Sequence, residues 1–229
     1  MQQAPEAMTL KVIAHIHTAF PTKFGIPRQS GLADVPARIV FEPEYRNADA
    51  LRGIEEYSHL WLIWQFSEAV RESWSPTVRP PKLGGNRRVG VFATRSPFRP
   101  NAIGLSSVRL HRVEYGTPEG AVLHISGADL MDGTPIFDIK PYLAYTDSHP
   151  EASGSFALAG DAVRVECAEG VLDALPQEKR ETLLRVLAQD PRPGYQHEAG
   201  RVYGFPFGGF EVRFTVADGV LTVLSAEKV

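Results

Sequence analysis

The sequence predicts a mainly β protein, with a β-barrel as the main domain and a small α+β domain in the C-terminal part. Short segments rich in β-branched residues recur through residues 9–142, separated by Gly and Pro, which is typical of a barrel or a strongly curved sheet. Neither a G-x-G-x-x-G nor a G-x-x-x-x-G-K-[ST] motif is present, so a classical dinucleotide-binding fold and a P-loop are unsupported. The pattern changes near residue 150, and we expect domains at residues 1–150 and 151–229.

The strands of the main domain are predicted from apolar and β-branched runs. These runs are Thr9–Thr18, Ala37–Phe41, Ser58–Phe66, Val89–Thr94, Leu105–Val113, Ala121–Ser126 and Phe137–Tyr142. Ser58–Phe66 is almost wholly apolar, so we expect both of its faces to be buried. Asn47 is a suitable N-cap for a short helix through Glu56.

The second domain is predicted from local signals of linker, helix and hairpin. Ser148–Gly160 is small and polar, as in a linker. Pro176–Gln189 has Pro in its first turn and one apolar face, as in a helix. Asp218-Gly219 predicts a hairpin turn between two strands. The expected strands are Ala162–Val165, Phe210–Ala217 and Val220–Leu224.

Several function classes are disfavoured by what the sequence lacks. The single cysteine, Cys167, excludes an internal disulfide and a multi-cysteine metal site. No run approaches the roughly 18 apolar residues of a membrane helix, and the N-terminal MQQAPEAMTLKV does not read as a secretory signal. We therefore expect a cytoplasmic protein that does not enter a membrane. His15-x-His17 lacks a neighbouring carboxylate-rich motif, so no metal is expected.

The charge is distributed unevenly, although its sum is only −3. Residues 73–113 contain eight Lys and Arg but no Asp or Glu. The rest of the chain therefore holds 16 of the 24 basic residues and all 27 acidic ones. A basic block on an acidic body favours an anionic ligand, whereas side chains scattered over several faces would have no such meaning. The basic residues of the block are Arg79, Lys82, Arg87, Arg88, Arg95, Arg99, Arg109 and Arg112.

Two loops carry polar groups that suit a binding site. In Phe24–Gly31, Gln29 follows a proline and precedes a glycine, although an ordinary surface turn would have the same composition. In Gly90–Leu105, two arginines bracket Pro97 and Phe98. Prolines restrict the loop, arginine binds phosphate or carboxylate through two hydrogen bonds, and Phe98 is able to stack on a base.

Two further segments combine titratable groups with strand patterns. His59 begins a very apolar strand, where a core histidine bonded to backbone is the alternative. Gly127–Tyr145 contains Asp129, Asp132 and Asp138 close to Lys140, a set suited to acid–base chemistry or to stabilising a cation. Turn capping by Asp132 before Gly133 explains part of this segment without any chemistry.

Together these segments resemble the YaeB/TsaA-like family, whose bacterial members are called TrmO. The similarity covers most of residues 9–147 and extends weakly into LAQDPRPGY (Leu187–Tyr195). The matching strings are PRQSG (Pro27–Gly31), YSHLWLIW (Tyr57–Trp64), RPPKLGGN (Arg79–Asn86), VGVFATRSPFRPNAIGLS (Val89–Ser106) and DLMDGTPIFDIKPY (Asp129–Tyr142).

The resemblance implies an S-adenosylmethionine-dependent methyltransferase built on a β-barrel. Its substrate would be N6 of threonylcarbamoyladenosine, beside the anticodon of threonine tRNA, and the enzyme would be a homodimer with sites near the subunit interface. The implied cofactor contacts are Gln29, His59, Leu60, Arg95, Leu105, Asp129, Leu130, Met131, Asp132, Gly133 and Thr134.

Residue chemistry adds roles for the remaining candidates. The acceptor nitrogen must lose a proton, and Asp138 or Asp132 is a candidate base; Lys140 would orient the base or meet the threonyl carboxylate, and Tyr142 would contact the acceptor. The residues expected to bind tRNA are Arg79, Lys82, Arg87, Arg88, Arg99 and, unless its loop is only a structural turn, Arg192, with Tyr195 and Arg201 as possible extensions. Two alternatives remain: a cofactor-binding regulator or RNA-binding module without turnover, and a methyltransferase with another acceptor.

Overall fold

A closed barrel of six antiparallel strands forms the first part of the chain. The computed structural model describes residues 8–80, 87–154, 162–192, 198 and 200–229. Up to residue 154 the strands are β1 (Ala14–His17), β2 (Pro36–Phe41), β3 (His59–Gln65), β4 (Thr77–Val78), β5 (Val89–Gly90), β6 (Ile103–Thr117), β7 (Gly120–Ser126) and β8 (Pro135–Pro141). The order around the barrel is β1-β2-β7-β6-β3-β8, and β4 pairs with β5 separately. The prediction of a mainly β protein with a barrel is confirmed.

The central strand β3 alternates between the barrel interior and the outer face, so the expectation that both faces are buried is wrong. Leu60, Leu62 and Trp64 lie in the core, whereas His59 is exposed and Trp61 is only half-buried. Trp61 and Ile63 lie on the outer face, and this is why the sequence of the strand looks uniformly apolar.

The long strand β6 pairs with two different neighbours along its length. From Ile103 to Arg109 it pairs with β3, and from Arg109 to Thr117 it pairs with β7. Its first half therefore has no strand partner on its second edge within the residues that the structure describes. Such an edge presents unpaired backbone groups, which makes it a natural place for a loop or a ligand.

Shorter elements differ from the predictions in detail. Residues 9–13 are not part of β1, and the helix expected from Asn47 is two 3₁₀ turns, Ala48–Leu51 and Ile54–Glu56. Asn47 does cap the first of them, because its side chain accepts a hydrogen bond from the backbone N–H of Asp49 at 3.0 Å. A one-turn helix, α1 (Ala144–Asp147), comes directly after the barrel.

From residue 162 onward, the described residues form a four-stranded sheet and one helix. They comprise β9 (Arg164–Cys167), α2 (Gln177–Leu187), β10 (Tyr203–Phe207), β11 (Phe210–Ala217) and β12 (Val220–Lys228), with the sheet order β10-β11-β12-β9. The helix and the hairpin are confirmed, since Asp218 and Gly219 both have positive φ angles, 50° and 77°, as a tight hairpin turn requires. Strand β10 has no counterpart in the sequence prediction.

The loop between β1 and β2 packs against this second sheet rather than into the barrel. Phe20, Ala33 and Val35 are almost fully buried in the same cluster as the side chains of α2 and β10–β12. Phe24 makes an edge-on contact with Phe205 at a ring-centroid distance of 5.9 Å. The loop that contains Gln29 is therefore held by the second sheet. No helix in the described residues is long and apolar enough to cross a membrane.

Candidate active site

A connected set of polar side chains lies at the open edge of β6. Arg95 donates a hydrogen bond to the side-chain oxygen of Gln29. The Ser106 hydroxyl of β6 donates to Asp129 Oδ1 at 2.5 Å, and Trp64 Nε1 donates to that hydroxyl at 3.0 Å. Arg95 also exerts an electrostatic influence on the Asp129 carboxylate. Three predicted segments, which lie far apart in sequence, therefore converge on one place.

Backbone pairing explains why these segments meet. The connection from β7 to β8 begins at Gly127, whose carbonyl accepts a hydrogen bond from the Gly31 N–H at 2.8 Å. Gly127 has a φ of +84°, and an added Cβ would lie 3.6 Å from the Gly31 backbone. Glycine gives the chain this conformation without strain. Asp129, two residues later, is consequently presented to Ser106 and to the loop of Gln29.

Asp129 is a largely buried carboxyl group with opposing influences on its charge. Burial raises the pKa of Asp129 above its ordinary value, because a carboxylate loses hydration there. The Ser106 hydroxyl, backbone N–H groups and Arg95 oppose this shift by stabilising the ionised form. The outcome is a carboxyl group whose negative charge is costly at this position and would be stabilised by a cation. Perturbed groups of this kind are typical of functional sites.

Ser106→Ala is expected to destabilise the fold by about 1–3 kcal/mol, because Trp64 Nε1 becomes a buried donor without its partner. The pKa of Asp129 should rise further, since a donor to its ionised form is lost. A raised pKa means that stability falls as the pH increases through it, so the deficit should be larger at neutral than at acidic pH. Urea unfolding at both pH values measures it. Ser107→Ala, on the outer face, is the control, and an equal deficit in both variants would contradict the role of Ser106.

The Asp129–Thr134 segment contributes one side chain and several structural contacts. Leu130 is buried in the barrel core, so only its backbone is available to a ligand. Asp132 Oδ1 accepts a hydrogen bond from the Thr18 N–H at 3.0 Å and lies 3.4 Å from His17 Nδ1. Gly133 has a φ of +74° and Thr134 is buried. Asp132 therefore fixes the turn to the end of β1, and its use as a base is disfavoured.

A second group of predicted residues lies on the outer face of the barrel. Lys140 Nζ is 2.9 Å from Asp138 Oδ2. Tyr142 packs against Trp61 with ring centroids 5.4 Å apart and against His59 at 6.2 Å. This group is a patch of charged and aromatic side chains across β3 and β8.

The aromatic part of this patch is anchored by Asp147 in α1. Trp61 Nε1 and the Leu143 N–H donate to the same Asp147 oxygen, at 2.8 and 2.9 Å. These two donors hold the pKa of Asp147 below its ordinary value, and the backbone N–H of Leu143 makes the larger contribution. The ring of Trp61, against which Tyr142 packs, is therefore fixed in position.

The two groups are separated by β3. Asp138 and Leu105 are both aligned with Ile63, so their backbones lie two strand spacings apart, about 10 Å. Leu105 is 57% exposed and bridges the outer face and the open edge of β6. His59 lies at the far end of β3 from Trp64, and Leu60 points into the core. The structure of one chain therefore brings Gln29, Arg95 and Asp129 together but leaves His59 apart from them.

Most arginines of the acid-free stretch differ from most arginines outside it. Within the described residues, Arg79, Arg87, Arg88, Arg95, Arg99 and Arg109 form no ion pair, whereas Arg112 of the same stretch and seven arginines elsewhere do. Those eight are Arg38, Arg52, Arg112, Arg164, Arg180, Arg185, Arg192 and Arg201. Arg99 holds its own loop by donating to the Thr94 and Ser96 carbonyls. Lys82 and Tyr195 lie outside the described residues.

Arg192 does not present a free cation to solvent. Its guanidinium makes two hydrogen bonds to the Asp190 carboxylate, both 2.8 Å, and its side chain is only 12% exposed. Arg28 in turn donates to the carbonyls of Asp190 and Arg192, at 3.0 and 2.9 Å. The sequence expectation that Arg192 binds tRNA is therefore disfavoured, and its loop instead supports the loop that carries Gln29.

One residue of this site, Ser106, was not predicted from the sequence. Ser106 is a fully buried hydroxyl on the inner face of β6, and Trp64 bonds to it. The signal in the sequence was a serine at an inward position of an alternating strand, because a buried hydroxyl normally needs a hydrogen-bond partner.

The His15-x-His17 pair lies against carboxylates: His15 contacts Glu42 and His17 contacts Asp132. The described residues hold no cluster suited to a metal ion.

Comparison with known proteins identifies the family. Residues 15–148 match the model of the tRNA-methyltransferase O N-terminal domain, which is more than half of the chain. The chain belongs to the TrmO family of tRNA methyltransferases. Residues 161–229 match the TrmO C-terminal domain, so the family signature continues into the second sheet. The resemblance inferred from the five sequence strings is confirmed.

Relatives and solved structures agree with this assignment. The chain is 42% identical over 226 residues to the tRNA (adenine(37)-N6)-methyltransferase of Escherichia coli, covering 94% of this chain and 96% of that protein. It is 43% identical over 213 residues to a putative S-adenosylmethionine-dependent methyltransferase of Pseudomonas aeruginosa, covering 88% and 90% of the two chains. A crystal structure of TrmO from Pseudomonas aeruginosa superposes with a TM-score of 0.79 at 33% identity, over 99% of each chain.

Proposed function

We propose that this TrmO family member uses S-adenosylmethionine to methylate N6 of the adenosine at position 37 of tRNA, and that its substrate is the threonylcarbamoyl form of that adenosine in threonine tRNA. The similarity to the Escherichia coli enzyme supports the reaction. The observation that carries the proposal in this chain is the convergence of Gln29, Arg95 and Asp129 at the open edge of β6. The domain boundary near residue 150 and a cytoplasmic location remain our expectations.

The donor set at this edge fits the chemistry of the cofactor. S-Adenosylmethionine supplies a methyl group activated by a positively charged sulfur. Asp129 is a largely buried carboxylate, and opposite charges attract strongly where water is excluded. Arg95 suits the carboxylate end of the cofactor, because a guanidinium donates two parallel hydrogen bonds. Gln29 and the unpaired backbone of β6 suit an adenine or ribose. These residues bind and orient the methyl donor.

Asp138 is the proposed base for the acceptor nitrogen. Its carboxylate is half-exposed and lies 2.9 Å from Lys140 Nζ, which would hold it towards the N–H that loses a proton. Tyr142, fixed on Trp61, would form one wall for the adenine. Since this face lies about two strand spacings from Leu105, a second copy of the chain would close the gap, in keeping with the proposed homodimer.

Asp138→Asn is expected to lower kcat by about 100-fold or more while cofactor affinity is retained, because a positioned base typically contributes 10²–10⁴-fold. Single-turnover methylation and calorimetric cofactor titration measure the two effects. Asp49→Asn, an exposed surface carboxylate at a 3₁₀ turn, is the control. Near-normal turnover of a folded Asp138→Asn protein would eliminate it as the base.

The unpaired arginines are the proposed phosphate contacts for tRNA, with Arg79, Arg87 and Arg88 as the core of the set. Arg87→Ala combined with Arg88→Ala should weaken tRNA binding and reduce the slope of log Kd against log salt by about 1–2, since each phosphate contact contributes about 0.9. Filter binding over a salt series measures the slope. Arg164→Ala with Arg180→Ala, two ion-paired arginines of the second part, is the control. An unchanged slope in the first variant would exclude the pair from the interface.

Mass spectrometry of tRNA nucleosides after incubation with enzyme and methyl donor tests the function directly. Threonine tRNA with the threonylcarbamoyl group should gain one methyl at that adenosine, whereas the same tRNA without the group should react far less. Methylation of the unmodified tRNA at an equal rate would contradict the proposed threonylcarbamoyl substrate but would leave the proposed methyl transfer supported. Tight cofactor binding without any methylated nucleoside would favour the regulator or RNA-binding module instead.

A further inference from the structure

An exposed aromatic pair lies beside the candidate site and has no role in it so far. Trp74 and Phe92 are 52% and 73% exposed, and their ring centroids are 6.0 Å apart at an angle of 31°. We call these two residues the aromatic platform. Large aromatic side chains lose much favourable burial when they remain in water, so an adjacent exposed pair is typical of a binding surface.

The platform is held in place by the small β4–β5 ladder. Thr77 pairs with Gly90, and the Val91 N–H donates to the Pro76 carbonyl at 2.9 Å, which extends the pairing by one step. Continued by one step, this register would align Phe92 with Ser75 rather than with Trp74, and Phe92 already lies in the 3₁₀ turn Val91–Ala93. The ladder therefore holds the two segments next to each other, and Trp74 and Phe92 lie within two residues of its last contact, between Pro76 and Val91.

The charge around the platform favours an anionic partner, and the exposed aromatic rings favour a nucleic acid among such partners. The platform belongs to the acid-free stretch of residues 73–113. Within the described residues, the arginines of that stretch up to Arg109 form no ion pairs. Nearby, the Arg71 guanidinium stacks on the Phe98 ring at 3.8 Å. Aromatic rings combined with free arginines are the arrangement that binds unpaired bases and their phosphates.

The platform is also close to the methyl-transfer site. Phe92 precedes Arg95 by three residues, so their Cα atoms are at most about 11 Å apart. We propose that Trp74 and Phe92 stack on an unpaired anticodon-loop base next to the target adenosine, an inference that rests on the proposed function. Stacking there holds the loop open while the neighbouring adenosine enters the site. The base is bound through its flat face, so the platform accepts different bases at that position.

The test uses an anticodon stem-loop RNA in binding assays that need no turnover. Trp74→Ala with Phe92→Ala should weaken Kd by about fivefold or more, because stacking typically contributes 1–3 kcal/mol per base. The salt slope should not change, since no phosphate contact is removed. Phe92→Tyr should bind as the wild type does, whereas Phe92→Leu should resemble the loss of the ring. Tyr145→Ala, an 88% exposed aromatic residue outside the stretch, is the control.

A second RNA separates stacking from other effects. Removing the base, but not the phosphate, from the loop nucleotide next to the target adenosine should abolish the difference between wild type and the double variant. A difference that persists with every such abasic loop would overturn the proposal. So would an unchanged Kd, or a loss of dimer in light scattering that shows the platform to be covered by a second copy. If the wild type binds RNA as expected but methylates no tRNA, the proposed function is wrong, whereas the stacking of Trp74 and Phe92 on a base remains supported.

Discussion

Asp129→Asn should weaken binding of S-adenosylmethionine by about 10–100-fold but change binding of S-adenosylhomocysteine by less than about threefold. The methyl donor is a cation at sulfur, whereas the product is neutral there, so only the former loses a charge–charge attraction in a poorly hydrated site. Methylation should fall at least as far. Calorimetric titration with both ligands measures the difference, and Asp34→Asn, a surface carboxylate paired with Arg185, is the control.

The same variant has a distinct signature in stability. Burial raises the pKa of Asp129, so the ionised group destabilises the native state and that cost grows as the pH rises through its pKa. Asn carries no charge, and the variant should therefore gain stability relative to wild type between mildly acidic and neutral pH. Two results would exclude Asp129 as the partner of the cation. One is an equal loss of affinity for both ligands, and the other is a variant that becomes less stable than wild type as the pH rises.

Gly25→Ala should destabilise the protein by about 2–4 kcal/mol and impair cofactor binding. Gly25 has a φ of +92°, and an added Cβ would lie 2.3 Å from the ring of Phe205, which is buried and packed on Phe207 and Phe214. Backbone strain contributes about 1 kcal/mol and overpacking about 1–3 kcal/mol. Thermal and urea unfolding measure the change.

Gly31→Ala is the matched control for this prediction. Gly31 lies in the same loop and has a φ of +78°, but an added Cβ there meets nothing within 4 Å. It should therefore cost only the backbone strain, about 1 kcal/mol. If both variants lose equal stability, the contact between the loop and the second sheet is not what Gly25 protects.

Local signals predicted the elements whose structure is decided by neighbouring residues. Asp218-Gly219 specifies its hairpin because only a few residue types adopt two successive positive φ angles. Helix α2 follows from Pro176 and from the apolar spacing of Leu183, Val186 and Leu187. The five family strings led to the residues that converge at β6, although nothing in the sequence placed Gln29 next to Arg95.

The differences from the sequence predictions concern features that depend on tertiary structure. Trp61 made β3 look buried on both faces, because an aromatic ring that covers an outer face has the same sequence pattern as one in a core. The ion pair of Arg192 with Asp190, two residues earlier at a φ of +48°, disfavours the expected contact of Arg192 with tRNA and was not visible in the sequence. Ser106 was overlooked because its partners, Trp64 and Asp129, are 42 and 23 residues distant.

The packing of Phe20, Ala33 and Val35 on the second sheet has a consequence for the synthesis of this protein. These residues leave the ribosome long before β10–β12 exist, and domains generally fold as they emerge. A nascent chain can therefore complete its barrel ladder while the loop of Gln29 still lacks the surface that seats it. We therefore expect translation of the second sheet to be the final assembly step, and a chain interrupted before it to lack a properly seated Gln29 loop even where its barrel has formed.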